Sequence, residues 1–177
     1  MRRWKQTHVE ALFEHRLFRL ERHRLAAGEE HRESLVLQAP DWVNVVALLP
    51  GQDVLLVRQW RFGIQAPTLE IPGGMVDAGE SALEAAAREL MEETGYRARG
   101  WSLLGEVEPN PAFLSNRCTT FLATDLERVG EPLGDGEEEI TLETAPLARI
   151  PELIAGGEIR HALVIAAFYH LQGSTRQ

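Results

Sequence analysis

Cysteine is nearly absent: the 177 residues contain one, Cys118. An internal disulfide and a cysteine-based zinc site are therefore excluded, and a reducing, cytoplasmic setting is the simplest expectation. Long apolar runs are missing as well. The longest, around residues 43–49 and 162–168, fall far short of the ~20 residues that a membrane-spanning helix needs. The opening Met1-Arg2-Arg3-Trp4-Lys5-Gln6 does not lead into an apolar segment, so no secretory signal is expected. Basic residues are in deficit, with 18 Lys and Arg against 27 Asp and Glu and a net charge of −9. That balance excludes bulk binding to nucleic acid or to an anionic membrane, both of which need basic surface. It also sets a problem: if the substrate is an anion, positive charge has to be supplied locally.

What is present fits an ordinary globular chain, 44% apolar and 25% charged. Its length suits one domain with a sizeable core, and no repeat, low-complexity tract or long linker divides it. Residues 17–26 and 33–38 read as half-exposed strands. After the break at Ala39-Pro40-Asp41, residues 43–49 read as a buried strand. The turn Pro50-Gly51-Gln52-Asp53 leads into a strand over residues 54–59, and the two look like a hairpin. Further strands are expected at 68–71, 101–107, 118–126 and 140–142, and helices at 151–155 and 161–171. Interspersed strands and helices imply an α/β (α+β) fold, a mixed sheet sandwiched between helices.

The clearest helix spans residues 81–94. Ser81 with Glu84 forms a capping-box pattern, and Gly95 is a natural stop. Leu83, Ala86, Ala87, Leu90 and Thr94 recur at helical spacing and are expected to face the core. Glu89, Glu92 and Glu93 stand at i, i+3 and i+4, so their carboxylates share a face, expected roughly opposite that stripe. Three such carboxylates repel one another unless a cation joins them, and hard oxygen ligands suit Mg²⁺ or Mn²⁺. A solvated acidic face is the plainer account of the cluster taken alone. The preceding loop, Pro72-Gly73-Gly74 and then Asp77-Ala78-Gly79-Glu80, adds glycines that let backbone approach a ligand, which turns the cluster into a candidate metal cup.

Gly74, five residues, Glu80, seven residues, and then Arg88-Glu89-Leu90-Met91-Glu92-Glu93-Thr94-Gly95-Tyr96 resemble the full Nudix box. Every charged and glycine position is matched; Tyr96 departs from the aliphatic residue usual there. The resemblance implies a Nudix fold over residues 1–177, a core from 41 to 177 and extra N-terminal strands in 1–40. Outside the box, Val57-Arg58-Gln59-Trp60-Arg61, Leu69-Glu70-Ile71-Pro72-Gly73-Gly74, Pro109-Asn110-Pro111-Ala112, Glu137-Glu138-Glu139-Ile140 and the stretch from Gly157 to Leu163 look like the ADP-ribose and nucleotide-sugar diphosphatase branch.

That branch implies roles by position. Glu89 and Glu93 are principal metal ligands, Glu92 assists, and the Gly73 carbonyl completes part of the shell. Glu93 and Glu138 are the catalytic carboxylates. Glu138 is also a metal ligand, with its register against Glu137 and Glu139 open and a solvated loop as the competing reading. Arg61 meets the substrate diphosphate or its sugar, or else makes a plain salt bridge. Glu70 braces the cup or reads the substrate. Trp42 stacks on a base, or serves the core or a dimer interface. Gly74, Glu80, Arg88 and Gly95 shape the motif, and His161 and Cys118 read as structural. The implied activity is metal-dependent cleavage of a nucleoside diphosphate sugar or ADP-ribose. A homodimer through the segment 12–38 is expected. A non-catalytic nucleotide sensor and a nucleoside triphosphate pyrophosphatase are the alternatives.

Overall fold

The computed structural model describes residues 1–132 and 140–174, and the chain divides into two units. The first comprises Met1–Asp41 and Glu108–Arg117. Its strands β1 (Lys5–His15), β2 (Phe18–Ala27) and β3 (Glu30–Gln38) form an antiparallel sheet in the order β1-β2-β3. β1 begins at Lys5, ahead of the strands expected at 17–26 and 33–38 and of the segment 12–38 expected to dimerise. Residues 5–11 hold few apolar groups, and pairing with β2 makes them a strand. Every residue of β1 is exposed, including Val9, Leu12 and Phe13. Leu37 takes the backbone of the 108–117 segment alongside β3: its N–H donates to the Phe113 carbonyl at 2.8 Å.

The second unit, Trp42–Val107 with Cys118–Gln177, carries the main core. Its elements are β4 (Trp42–Ala47), β5 (Asp53–Arg61), β6 (Ala66–Glu70), β7 (Gly73–Met75), α1 (Ala82–Thr94), β8 (Tyr96–Val107), β9 (Cys118–Arg128), β10 (Thr141–Pro146), α2 (Ile150–Ala155) and α3 (Ala162–Ser174). β4 sits inside a mixed sheet of order β7-β4-β9-β8, antiparallel to β7 and parallel to β9. Because side chains alternate along a strand, Val43, Val45 and Ala47 pack with Ala85, Ala86 and Leu90 of α1. Val46 packs instead with Val164, Ala167 and Phe168 of α3. The mixed sheet is therefore covered by a helix on each face, as expected. Truncating a fully buried residue such as Leu90 to Ala would cost about 2–5 kcal/mol.

β4 and β5 are not a hairpin. Both edges of β4 are already taken by β7 and β9, which leaves no edge for β5. One bridge joins them, Leu48 to Val54, across the turn closed by Leu49 N–H donating to Asp53 O at 2.8 Å. β5 then enters a separate sheet, β10-β5-β6. Its Val54, Leu55, Leu56 and Val57 are all buried, a continuous apolar run that suits a strand covered on both sides.

α1 starts as its sequence indicates. The Ser81 hydroxyl accepts from Glu84 N–H, and the Glu84 carboxylate accepts from Ser81 N–H at 2.8 Å. Gly95 closes the helix at φ 72°, a left-handed position that glycine takes without strain. The buried face differs from expectation. Leu83 and Ala87 are exposed, and Ala85, Ala86, Leu90, Glu93 and Thr94 are buried. At about 100° per residue Glu93 falls between Ala86 and Glu89, so the glutamate face borders the apolar stripe. Among the described residues, no helix is long and apolar enough to cross a membrane.

Candidate functional site

The loop from β6 to α1 is fixed by a backbone bond to the helix. Gly73 N–H donates to Glu93 Oε2 at 3.0 Å, and that side chain is 7% exposed. Gly74 pairs with Val43 of β4 and lies against Glu89; a Cβ there would sit 2.1 Å from Glu89 Oε1. Only glycine lets the backbone run so close to a carboxylate. Gly73, Gly74, Glu89 and Glu93 therefore meet on the inner side of α1.

Arg88 organises the other side. Its Nε and Nη2 both donate to Glu80 at 3.0 Å, and Nη2 also donates to the Met75 carbonyl at 2.9 Å. Its Nη1 donates to Glu89 at 2.8 Å and to Glu92 at 3.2 Å. Glu80 accepts in addition from Asp77 N–H at 3.2 Å. The guanidinium holds the Glu80 carboxyl below its usual range, against a smaller opposing effect of burial. Arg88 is correspondingly held even more firmly protonated than a free arginine. Glu89 goes the other way. Burial raises its carboxyl despite the Arg88 bond, and the charges of Glu92 and Glu80 add to the rise. A carboxylate so placed is short of positive charge, which is the condition a divalent cation relieves.

Carboxylate oxygens from Glu89, Glu92 and Glu93 with the Gly73 carbonyl make a hard-donor set suited to Mg²⁺ or Mn²⁺. Among the described residues no three acidic, His or Cys side chains converge on one point. Glu89 and Glu92 lean on Arg88, while Glu93 leans on Gly73. Glu138 lies outside the described residues.

A second cluster forms on β4, β5 and β6. Arg61 grips Glu70 in two parallel bonds of 2.8 Å, Nε to Oε1 and Nη2 to Oε2. The Thr68 hydroxyl also donates to Glu70 Oε1. Glu70 is 2% exposed. Burial pushes its carboxyl up, but the Arg61 bonds and charge and the Thr68 bond together bring it below the usual range. The Arg61 guanidinium stands 6.0 Å from the centre of the Trp42 ring, whose indole N–H donates to Asn44 Oδ1 at 3.3 Å. Asn44 pairs with Gly73 across the β4–β7 ladder, which ties this cluster to the cup.

The structure therefore brings Gly73, Gly74, Glu80, Arg88, Glu89, Glu92 and Glu93 into one region and Trp42, Arg61 and Glu70 into a connected one. Sequence reasoning passed over Asn44, Gln59, Thr68 and the surroundings of His161. Asn44 Nδ2, Gln59 Oε1 and His161 Nδ1 are buried without a hydrogen-bond partner. The signal for Asn44 was a polar residue within an apolar strand; His161 offered none. Cys118 is buried, and burial pushes its thiol up to about 12, so it is no nucleophile.

Residues 40–168 match the NUDIX domain family. An ADP-ribose pyrophosphatase of Mycobacterium tuberculosis is 34% identical over 126 residues, 70% of this chain and 61% of that protein. The chain thus spans less than two thirds of that relative. The ADP compounds hydrolase NudE of Escherichia coli is 29% identical over 164 residues, covering 91% of this chain and 87% of that one. A crystal structure of an ADP compounds hydrolase superposes with a TM-score of 0.87 at 25% identity, covering 99% of this chain and 96% of the other.

Proposed function

The chain belongs to the Nudix family, and on that premise we propose that it hydrolyses the diphosphate bond of ADP-ribose or a related nucleoside diphosphate sugar. The products are a nucleoside monophosphate and a sugar phosphate. One observation carries the reading: Arg88 gathers Glu80, Glu89 and Glu92 beside a loop whose Gly73 N–H is held by Glu93.

Glu89, Glu92, Glu93 and the Gly73 carbonyl would hold the divalent cation, Mg²⁺ or Mn²⁺. When bound, it supplies the positive charge that this acidic protein lacks and makes water easier to ionise. Arg88 aims Glu89 and Glu92, and Glu80 keeps Arg88 in place. Arg61, aligned by Glu70, meets the diphosphate or its sugar. Trp42, one face of which is turned toward Arg61, offers a ring on which a base stacks. Glu138 takes the proton from the attacking water as the P–O bond opens and the bridging oxygen leaves with the departing phosphate. Water adds to one phosphorus and the bridging oxygen stays with the other, so atoms balance.

A homodimer built through the first unit is part of the same proposal. β1 exposes Val9, Leu12 and Phe13, and Leu35 of β3 is 53% exposed. An edge strand with apolar side chains and unpaired backbone is a surface that proteins ordinarily cover. Sedimentation at micromolar concentration tests it, and a monomer there contradicts it.

The functional experiment is a hydrolysis panel of ADP-ribose, ADP-glucose, GDP-mannose and nucleoside triphosphates with Mg²⁺ and with Mn²⁺. Monophosphate products from the diphosphate compounds support the reading. Pyrophosphate released from triphosphates points to a triphosphate pyrophosphatase instead. Binding without turnover points to a sensor.

A further inference from the structure

His161 is where the chain enters α3: its carbonyl accepts from the N–H groups of Val164 and Ile165 at 3.1 Å each. Its Nδ1 is buried and has no hydrogen-bond partner. That nitrogen lies 4.0 Å from Glu70 Oε2, the same oxygen that accepts from Arg61 Nη2 at 2.8 Å. Gln59, opposite Thr68 in the β5–β6 ladder, also buries an unpartnered oxygen on this ladder face. Buried polar atoms without partners are uncommon and costly, and His161 Nδ1 is one that stands beside a carboxylate. Closing the His161–Glu70 distance to about 3 Å makes a hydrogen bond to a charged acceptor.

We infer that His161 is a positioning residue: it steadies the Glu70 carboxylate, and through it holds the Arg61 guanidinium in the orientation that meets the substrate. The inference rests on the proposed role of Arg61. The charged groups facing the imidazole are Glu70 on β6 and Arg61 on β5. The neighbouring Arg160 is engaged elsewhere, donating to the Pro67 carbonyl at 3.1 Å. Burial keeps the imidazole neutral more firmly than usual; Glu70 opposes this and Arg61 reinforces it. The N-terminus of α3 disfavours a cation there as well. In acid, a protonated His161 competes with Arg61 for Glu70 Oε2. Arg61 loosens, and KM rises while turnover changes little.

The test is steady-state hydrolysis of ADP-ribose with Mg²⁺, from about pH 5.5 to 8.5, across the range where imidazoles titrate. Wild type is compared with His161→Leu, His161→Asn and Arg61→Ala. Near neutral pH, His161→Leu should raise KM about fivefold with turnover within about twofold. His161→Asn keeps an N–H donor near Nδ1 and should restore KM, but its KM should no longer climb in acid. Independently of activity, the NMR titration of His161 should shift to lower pH in Glu70→Gln, because the carboxylate that favours the imidazolium is gone. Should His161→Leu fail to fold, the Asn variant and the titration still decide. Wild-type KM in His161→Leu overturns the inference. So does equal impairment in both His161 variants, or a titration indifferent to Glu70→Gln. If Arg61→Ala leaves KM unchanged, the proposed role of Arg61 fails first. If Arg61→Ala raises KM and His161→Leu does not, only the role of His161 fails.

Discussion

Two arginine–glutamate pairs in this protein have the same bidentate geometry and different surroundings. Arg88 and Glu80 meet at 3.0 Å in both bonds, and Arg61 and Glu70 at 2.8 Å in both. Arg88 continues into Glu89, Glu92 and the Met75 carbonyl, so its charge is spent on the acidic cup. Arg61 continues toward the Trp42 ring and a histidine. Glu80 lies near the surface, whereas Glu70 is buried and carries the hydroxyl of Thr68 as well. A guanidinium surrounded by carboxylates arranges ligands for a cation. One set among an aromatic ring, a hydroxyl and an imidazole has the neighbours of a substrate contact. We therefore propose the first pair for the chemistry and the second for recognition.

The division breaks most visibly at Glu93, which belongs to the first group. Glu93→Gln should lower turnover at least ~100-fold, about 2.7 kcal/mol of barrier, with the fold intact. Near-wild-type turnover at saturating Mg²⁺ in a folded variant would remove Glu93 from the chemistry. Glu138→Gln should come next, lowering turnover by about tenfold or more and leaving KM nearly unchanged, since the lost interaction belongs to the transition state. Glu137→Gln and Glu139→Gln should be milder. A dominant loss at Glu137 moves the register by one, and small equal losses in all three return the segment to a solvated charge run.

On the recognition side, Arg61→Ala should raise KM about tenfold while turnover stays within a few-fold. A loss confined to turnover would place both arginines on one task and dissolve the comparison.

The smallest effect concerns stability. The Glu89 carboxyl is raised above its usual 4.5, chiefly by burial. A raised folded value means that the stabilising contribution is complete below the unfolded value and is lost as pH rises through the folded one. At neutral pH, without divalent cations, the ionised Glu89 weakens the fold. Glu89→Gln should then raise Tm by roughly 1–4 °C, and the gain should fade in acid below the unfolded carboxylate value. A lower Tm at neutral pH would show that the Arg88 bond outweighs burial.

Much of this was legible in the sequence where the signal is local. Ser81, Glu84 and Gly95 state the limits of α1 because capping depends on neighbours a few residues away. The strands of the core announced themselves as β-branched runs. Pairing was not legible: a turn after residue 49 suggests a hairpin, and only the occupation of both β4 edges by β7 and β9 excludes it. The burial of Ala85 and Glu93 in place of Leu83 and Ala87 depends on where the Gly73-Gly74 backbone packs against α1. Helical spacing alone does not give that. Arg88 was visible as a member of the box, but its hold on four separate groups required the folded loop. The approach of His161 to Glu70 joins α3 to β6, and no local pattern encodes it.

The most direct test of the account is the product balance of ADP-ribose with the purified chain, with Mg²⁺ and then with the cation removed by a chelator. The account predicts AMP and ribose 5-phosphate in equal amounts with Mg²⁺, almost none after chelation, and recovery when Mg²⁺ is returned. Undiminished cleavage in the chelated sample, or intact ADP-ribose with either Mg²⁺ or Mn²⁺ present, would contradict it.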